Sequence, residues 1–181
     1  MKKFFALALA LVMVLSVTAM AETVSIDVVD WDELISNEGM DAYVANGDFY
    51  ALETLGLKIW IPNGLQPVES EYCAYLFSDE EGTSGLSVFV EDAPEDLDPT
   101  NADELYAYVV NVVGGDDAAP SVVNSIYCVS YTLGGDDLVQ YCVTYGAADG
   151  HVIHFVVDGV NSENADDLTG LLLMLGSVSA M

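Results

Sequence analysis

The stretch that decides the fold runs Ile126-Tyr-Cys-Val-Ser-Tyr-Thr-Leu133, Gly134-Gly-Asp-Asp137, Leu138-Val-Gln-Tyr-Cys-Val-Thr-Tyr145, Gly146-Ala-Ala-Asp-Gly150, His151-Val-Ile-His-Phe-Val-Val-Asp158. Three runs rich in β-branched and aromatic residues are separated by Gly/Asp turns, which predicts a three-stranded meander. Two of the three cysteines and both histidines lie inside it.

The spacing makes a specific register testable. A three-residue connection, Gly134-Gly-Asp136, sets Leu133 opposite Asp137. It then places Tyr127 against Val143, Val129 against Tyr141, and Tyr131 against Val139, three aromatic/β-branched pairs in a row. The same register sets Cys128 opposite Cys142, within reach of a disulfide. The alternative is a pair of small buried thiols, with Cys73 a core residue in either case. A connection one residue longer would send the two cysteines to opposite faces. His151 and His154 are three apart on a strand, so they face opposite ways and cannot chelate one metal together. If Tyr145 faces His151, a Cys128/Cys142/His154 row follows, a conceivable zinc or redox site that lacks C-x-x-C spacing and an evident fourth ligand.

Working outward, Thr23 to Val29 alternates Val24, Ile26 and Val28 with Ser25 and Asp27, the pattern of a short strand. Asp30 then caps a short helix over 31–37 that Gly39 stops. Residues 48–52 and 55–61 form a hairpin across Glu53-Thr54, and Pro62-Asn-Gly64 ends it. Glu71–Phe77 and Leu86–Val90 form another across Asp79-Glu-Glu-Gly82. A helix spans 102–113, with Asn101 and Glu104 as a capping box, Leu105, Val109 and Val112 as its apolar stripe, and Gly114-Gly115 as its end. Val122-Val123 enters the meander through a tight turn at Asn124-Ser125, while Asp116-Asp117 and Asp136-Asp137 read as turns. Asn161 or Ser162 caps a last helix whose Leu168, Leu171, Leu172 and Leu175 share a face. Strands joined as hairpins with three covering helices make an α+β fold with a largely antiparallel sheet.

This order resembles the PsbP-like fold. Two places carry the resemblance: Leu55-Gly-Leu-Lys-Ile-Trp-Ile-Pro-Asn-Gly-Leu65, and Val123-Asn-Ser-Ile-Tyr-Cys-Val-Ser-Tyr131 with the Asp149-Gly150 turn beyond. Relatives of this kind would have Asn-Gly where this chain has Asn124-Ser125. The resemblance covers residues 48–181 and implies an α/β/α sandwich that binds other proteins rather than an enzyme. It carries over no functional residue, since no family site motif matches here.

Composition bounds the partners. Lys2 and Lys3 precede an apolar run, Phe4 to Leu15, and Ala19-Met20-Ala21 follows, which predicts a secretory signal peptide over 1–21 cleaved after Ala21. That run is too short to span a membrane, which takes roughly 20 residues, and no membrane anchor is expected. Beyond residue 21 one cation, Lys58, stands against 30 acids, and there is no arginine. Nucleic acid and anionic surfaces are therefore excluded as partners, leaving a protein or glycan. With 52% apolar residues and ten Tyr, six Phe and two Trp, the chain can close a core, as one domain over 48–181 preceded by a strand and helix over 22–47.

The acids cluster most densely at Glu91-Asp-Ala-Pro-Glu-Asp-Leu-Asp98, where Asp92, Asp96 and Asp98 are candidate calcium ligands without EF-hand spacing. No other cofactor is expected. No nucleophile elbow, phosphate loop or zinc-protease motif is present. The expected function is a secreted, non-catalytic binding module. The alternatives are an exported hydrolase with an acidic cleft and a calcium-dependent surface protein.

Overall fold

The computed structural model describes residues 26–181 except 38, 83–84, 136–137 and 159–164. The chain opens with β1 (Asp27–Val29), α1 (Trp31–Ile35) and α2 (Met40–Val44). β2 (Gly47–Leu52) and β3 (Leu57–Pro62) are joined by a single 3-10 turn over Glu53–Leu55. Next come β4 (Gln66–Val68), β5 (Tyr75–Ser78) and β6 (Gly85–Asp92). The helix α3 (Ala102–Tyr108) runs on into a π-helical turn over Val109–Val113. β7 (Asp116–Val123), β8 (Ile126–Gly135), β9 (Leu138–Gly146) and β10 (His151–Asp158) form the meander and its approach. α4 (Ala165–Ser177) and β11 (Ser179–Ala180) close the chain.

Among the described residues, eight strands make one sheet in the order β1-β7-β8-β9-β10-β6-β5-β4, and three make a second, β11-β3-β2. β1 runs parallel to β7; the other pairs are antiparallel. The large sheet is buried on both faces. On one face Cys128, Val143, Tyr145, Ile153, Phe155 and Val157 pack with Ile59 and Trp60 of the small sheet and Leu173 and Met174 of α4. On the other, Val129, Tyr131, Cys142, Val152 and Val156 pack beneath Leu105 and Val109. The chain is α+β with a largely antiparallel sheet, as the alternation of its apolar runs implies.

The meander forms at the expected positions, but its register differs. Gly135 faces Leu138, so two residues join the strands, and Cys128 faces Tyr145 while Cys142 faces Tyr131. The difference from the expected pairing is odd, so it reverses the relative faces. Cys128 and Cys142 lie on opposite faces of the sheet, and all three cysteines are free. The predicted disulfide is corrected. With both faces buried, either parity hides apolar side chains, so burial does not choose between registers. A two-residue connection matches the strand twist, and the adopted register brings Tyr131 to Thr144.

Local signals close to the backbone are realised directly. Asp30 Oδ1 accepts from the Glu33 amide at 3.1 Å. Asn101 Oδ1 accepts from the amides of Asp103 and Glu104 at 3.0 and 3.3 Å. Glu104 closes the capping motif by accepting from the Asn101 side-chain amide at 3.1 Å and the Asp98 N–H at 2.8 Å. The hairpins β2–β3 and β5–β6 form, although β5 begins only at Tyr75 and residues 71–74 are irregular.

Other expectations are corrected. In β1 the inward positions are reversed: Val28 is 73% exposed, and Val29 packs on the core instead, because Val29 leads into Trp31 and Leu34. Gly39, at φ 94°, starts α2 rather than simply ending a helix. Asp116-Asp117 is no turn. It opens β7 at a bulge with Asp117 at φ 51°. Pro120 is tolerated in that strand because β1 pairs only with Ser121–Val123 and stops short of it. Asn161, Ser162 and the Asp136-Asp137 turn lie outside the described residues, as do the side chains of Leu168 and Leu171. The Leu172 and Leu175 side chains are buried as expected.

The turn at Asn124-Ser125 has φ values of 48° and 70°, both left-handed, the geometry of a hairpin whose twist matches its strands. Asn tolerates that conformation, so the departure from Asn-Gly does not break the hairpin. Its side chain does more. Asn124 Oδ1 accepts from the Trp31 amide at 2.7 Å, and Nδ2 donates to the carbonyls of Gly176 and Val178 at 3.0 and 2.8 Å. The Asn124 amide donates to Val29 at 2.8 Å. One turn thus fastens β1, the start of α1 and the end of α4.

Candidate functional site

The residues singled out by sequence are dispersed. Cys128 faces the core shared with α4, while Cys142 and His154 lie on the face under α3, so the Cys128/Cys142/His154 row does not form. His154 faces Thr144, not Cys142. Its Nδ1 is 2.7 Å from Thr144 Oγ1 and 3.3 Å from Tyr131 Oη, and those two hydroxyls are 3.0 Å apart. Burial pushes the imidazole below its ordinary value despite the opposing influence of Glu91, and burial pushes the Tyr131 phenol up. This closed triangle satisfies buried polar groups beneath a helix and has no opening to a substrate. Burial likewise pushes the Cys128 and Cys142 thiols up to about 12, which removes thiolate chemistry from both.

His151 sits at the surface, its Nδ1 2.9 Å from Asp149 and its Nε2 3.3 Å from Asp92. The hydrogen bond to Asp149 raises its pKa. Asp98 Oδ1 is occupied by the amide and hydroxyl of Thr100, at 3.0 and 2.7 Å. Asp92, Asp96 and Asp98 are not brought together: among the described residues no group of three His, Cys, Asp or Glu side chains is placed to hold a metal. The loop negatively charges the approach to α3, which favours such charge.

The recess that does form lies elsewhere, where the ends of the two sheets meet. It is an open groove of about 670 Å³ lined by residues of β2, β4, β5 and the segment between β4 and β5. β4 is the last strand of the large sheet and β2 the last of the small one. Phe77 is the buried floor, and Tyr50 of β2 meets it edge-on at 4.9 Å and 81°. Tyr75 ties the two sheets together, its hydroxyl 2.8 Å from Thr54 Oγ1 and accepting from the Thr54 amide at 3.2 Å.

The rim is shaped by Ser70. Its Oγ accepts from the amides of Tyr72 and Cys73 at 3.1 and 3.3 Å, a side-chain-closed turn. The Ala74 amide, donating to Val88 at 2.8 Å, anchors the far end. Between these supports Tyr72 projects with 89% exposure, beside exposed Val68. Glu69 and Glu71 line the same rim. A large exposed apolar surface with polar edges is the signature of an interaction site. Sequence reasoning placed 71–77 in a strand and so missed it. The usable signal was Pro67 at a sheet edge followed by Glu-Ser-Glu-Tyr72, in which Ser70 can close a turn.

Comparison with known proteins adds the fold. No family profile matches the chain, and no curated protein matches it by sequence. Among solved structures, the solution structure of cyanobacterial PsbP (CyanoP) from Synechocystis sp. PCC 6803 is similar, with a TM-score of 0.54 at 17% identity over 76% of this chain and 94% of that one. A crystal structure from Bacteroides thetaiotaomicron VPI-5482 gives a TM-score of 0.50 at 10% identity, covering 75% of this chain and 49% of that one. The fold is PsbP-like.

Proposed function

We propose that this chain with a PsbP-like fold is an exported, non-catalytic binding module whose ligand is a protein at or beyond the cell surface. The observation that carries the reading is the groove between β2 and β4, walled by Tyr50 and Val68 and overhung by exposed Tyr72. Tyrosines of this kind supply large contact area at low cost in side-chain entropy. The hydrolase alternative needs one carboxyl held protonated by burial beside another kept ionised; Glu69 and Glu71 are both solvent-exposed. Export is supported by Lys2-Lys3, the Phe4–Leu15 run and Ala19-Met20-Ala21.

The test is in-cell photo-crosslinking. A benzophenone side chain replaces Tyr72 in one strain and Val112 in another. Val112 is the control: it is exposed, and its π-turn lies over the opposite face of the large sheet. The expected result is a discrete protein adduct at 72 alone, on chains whose mass begins at Glu22. Adducts that are absent, or the same at both positions, would overturn the binding site. An intact residue 1–21 segment on the crosslinked chain would overturn export.

A further inference from the structure

We infer that the ligand of this groove is an extended, basic peptide segment of another protein, laid along the open edge of β4. This deepens the binding-module reading and rests on it. The shape argues for an extended occupant, because both elements that bound the groove are terminal strands of their sheets. A terminal strand presents unpaired backbone groups to an incoming strand, and main-chain pairing of this kind supplies affinity while alternate side chains supply specificity. Such a segment would point every second side chain at the apolar surface of Val68, Tyr50 and Phe77 and leave the intervening ones at the rim.

Charge decides what those intervening side chains are. The rim carries Glu69 and Glu71, and the whole chain has a formal charge of −27. Lys58, the only Lys or Arg among the described residues, is set over the Phe49 ring at 5.2 Å. The groove's carboxylates therefore have no cation of their own, and a lysine or arginine from outside would meet both a carboxylate and the face of Tyr72. A second copy of this chain is a poor occupant, since it would bring its own Glu69 and Glu71 to the contact.

The test uses a fluorescent decapeptide of alternating lysine and valine, read by anisotropy in low-salt buffer. Comparison peptides are a glutamate–valine decapeptide and a lysine–valine decapeptide N-methylated at alternate residues. A chitosan oligomer competes as a basic glycan. The lysine–valine peptide is expected to bind at least tenfold tighter than the other two peptides. Binding should fall about tenfold in the Glu69→Gln/Glu71→Gln double variant, whose thermal unfolding is checked against the parent. A bound peptide should also slow alkylation of Cys73, the half-buried thiol beside Ser70. Equal binding by the N-methylated peptide, or by the double variant, would reduce the effect to attraction by the acidic surface and overturn the inference. Displacement by chitosan at equal charge would assign the groove to a basic glycan instead. If the lysine–valine peptide fails while the protein adduct at position 72 persists, the ligand class falls and the binding module stands. Loss of both removes the reading beneath it.

Discussion

His154 and His151 are three residues apart and titrate in opposite senses. His154 is buried neutral, its pKa below 6.5, so its contribution to stability is complete above pH 6.5 and is lost as pH falls toward the lowered folded value. His151 gains a carboxylate hydrogen bond and its pKa is raised, so its contribution is present below 6.5 and lost as pH rises through the folded value. The many carboxylates also respond to pH, so the comparison is made between variants in urea unfolding. His154→Gln should destabilise by about 2 kcal/mol at pH 7.5, a gap that narrows by pH 5. The gap for His151→Gln should widen over the same range; a parallel response would disprove the assignment. The thiols differ as sharply. Cys73 is half-buried and the other two are sealed in the core, so Ellman's reagent should titrate one thiol per native chain and all three after denaturation. Two or fewer thiols after denaturation would restore a disulfide. These residue-level roles were not legible in sequence, where His151 and His154 look alike; only the partners supplied by β6 and β9 separate them.

At the scale of elements, α3 shows how far local sequence reasoning reaches. Its start was legible because Asn101 and Glu104 act within one turn of the backbone. Its end was not. The amides of Gly114 and Gly115 both donate to the Val109 carbonyl, at 3.0 and 3.2 Å, and this widened turn rotates the following side chains. Val112, expected on the apolar stripe, is 68% exposed, and Val113 packs on the core in its place. Val112→Ala should therefore change stability by less than about 0.5 kcal/mol, and Val113→Ala should cost about 1–2 kcal/mol. Equal costs would contradict the π-turn. The meander shows the same division. Strand existence follows from composition and turn residues, whereas register depends on a sheet covered on both faces, where an odd shift exchanges one buried set for another. The groove was hidden for a third reason: it is assembled from two sheets whose edges meet only in the fold, around Tyr50 and Phe77.

For the whole molecule, the consequence of −27 formal charges is self-repulsion that salt relieves. Raising NaCl from 20 to 500 mM, which shortens screening from roughly 20 Å to about 4 Å, should raise the melting temperature by about 5 °C. A falling melting temperature would mean that attractive pairs, not repulsion, dominate the charge balance. The architecture that withstands this repulsion is closed at Asn124. Its side-chain partners lie 93, 52 and 54 residues away along the chain, and contacts spanning such distances incur their loop-closure entropy before they stabilise anything. They form after the folding barrier has been crossed, so they act as a brake on escape from the native state. Asn124→Ala should then leave the refolding rate within about twofold and speed unfolding about 100-fold, the kinetic equivalent of about 2.7 kcal/mol. Slower refolding would instead place the turn in the nucleus. The side chain that joins the two ends of the fold thereby sets the lifetime of the folded protein rather than the speed at which it is made.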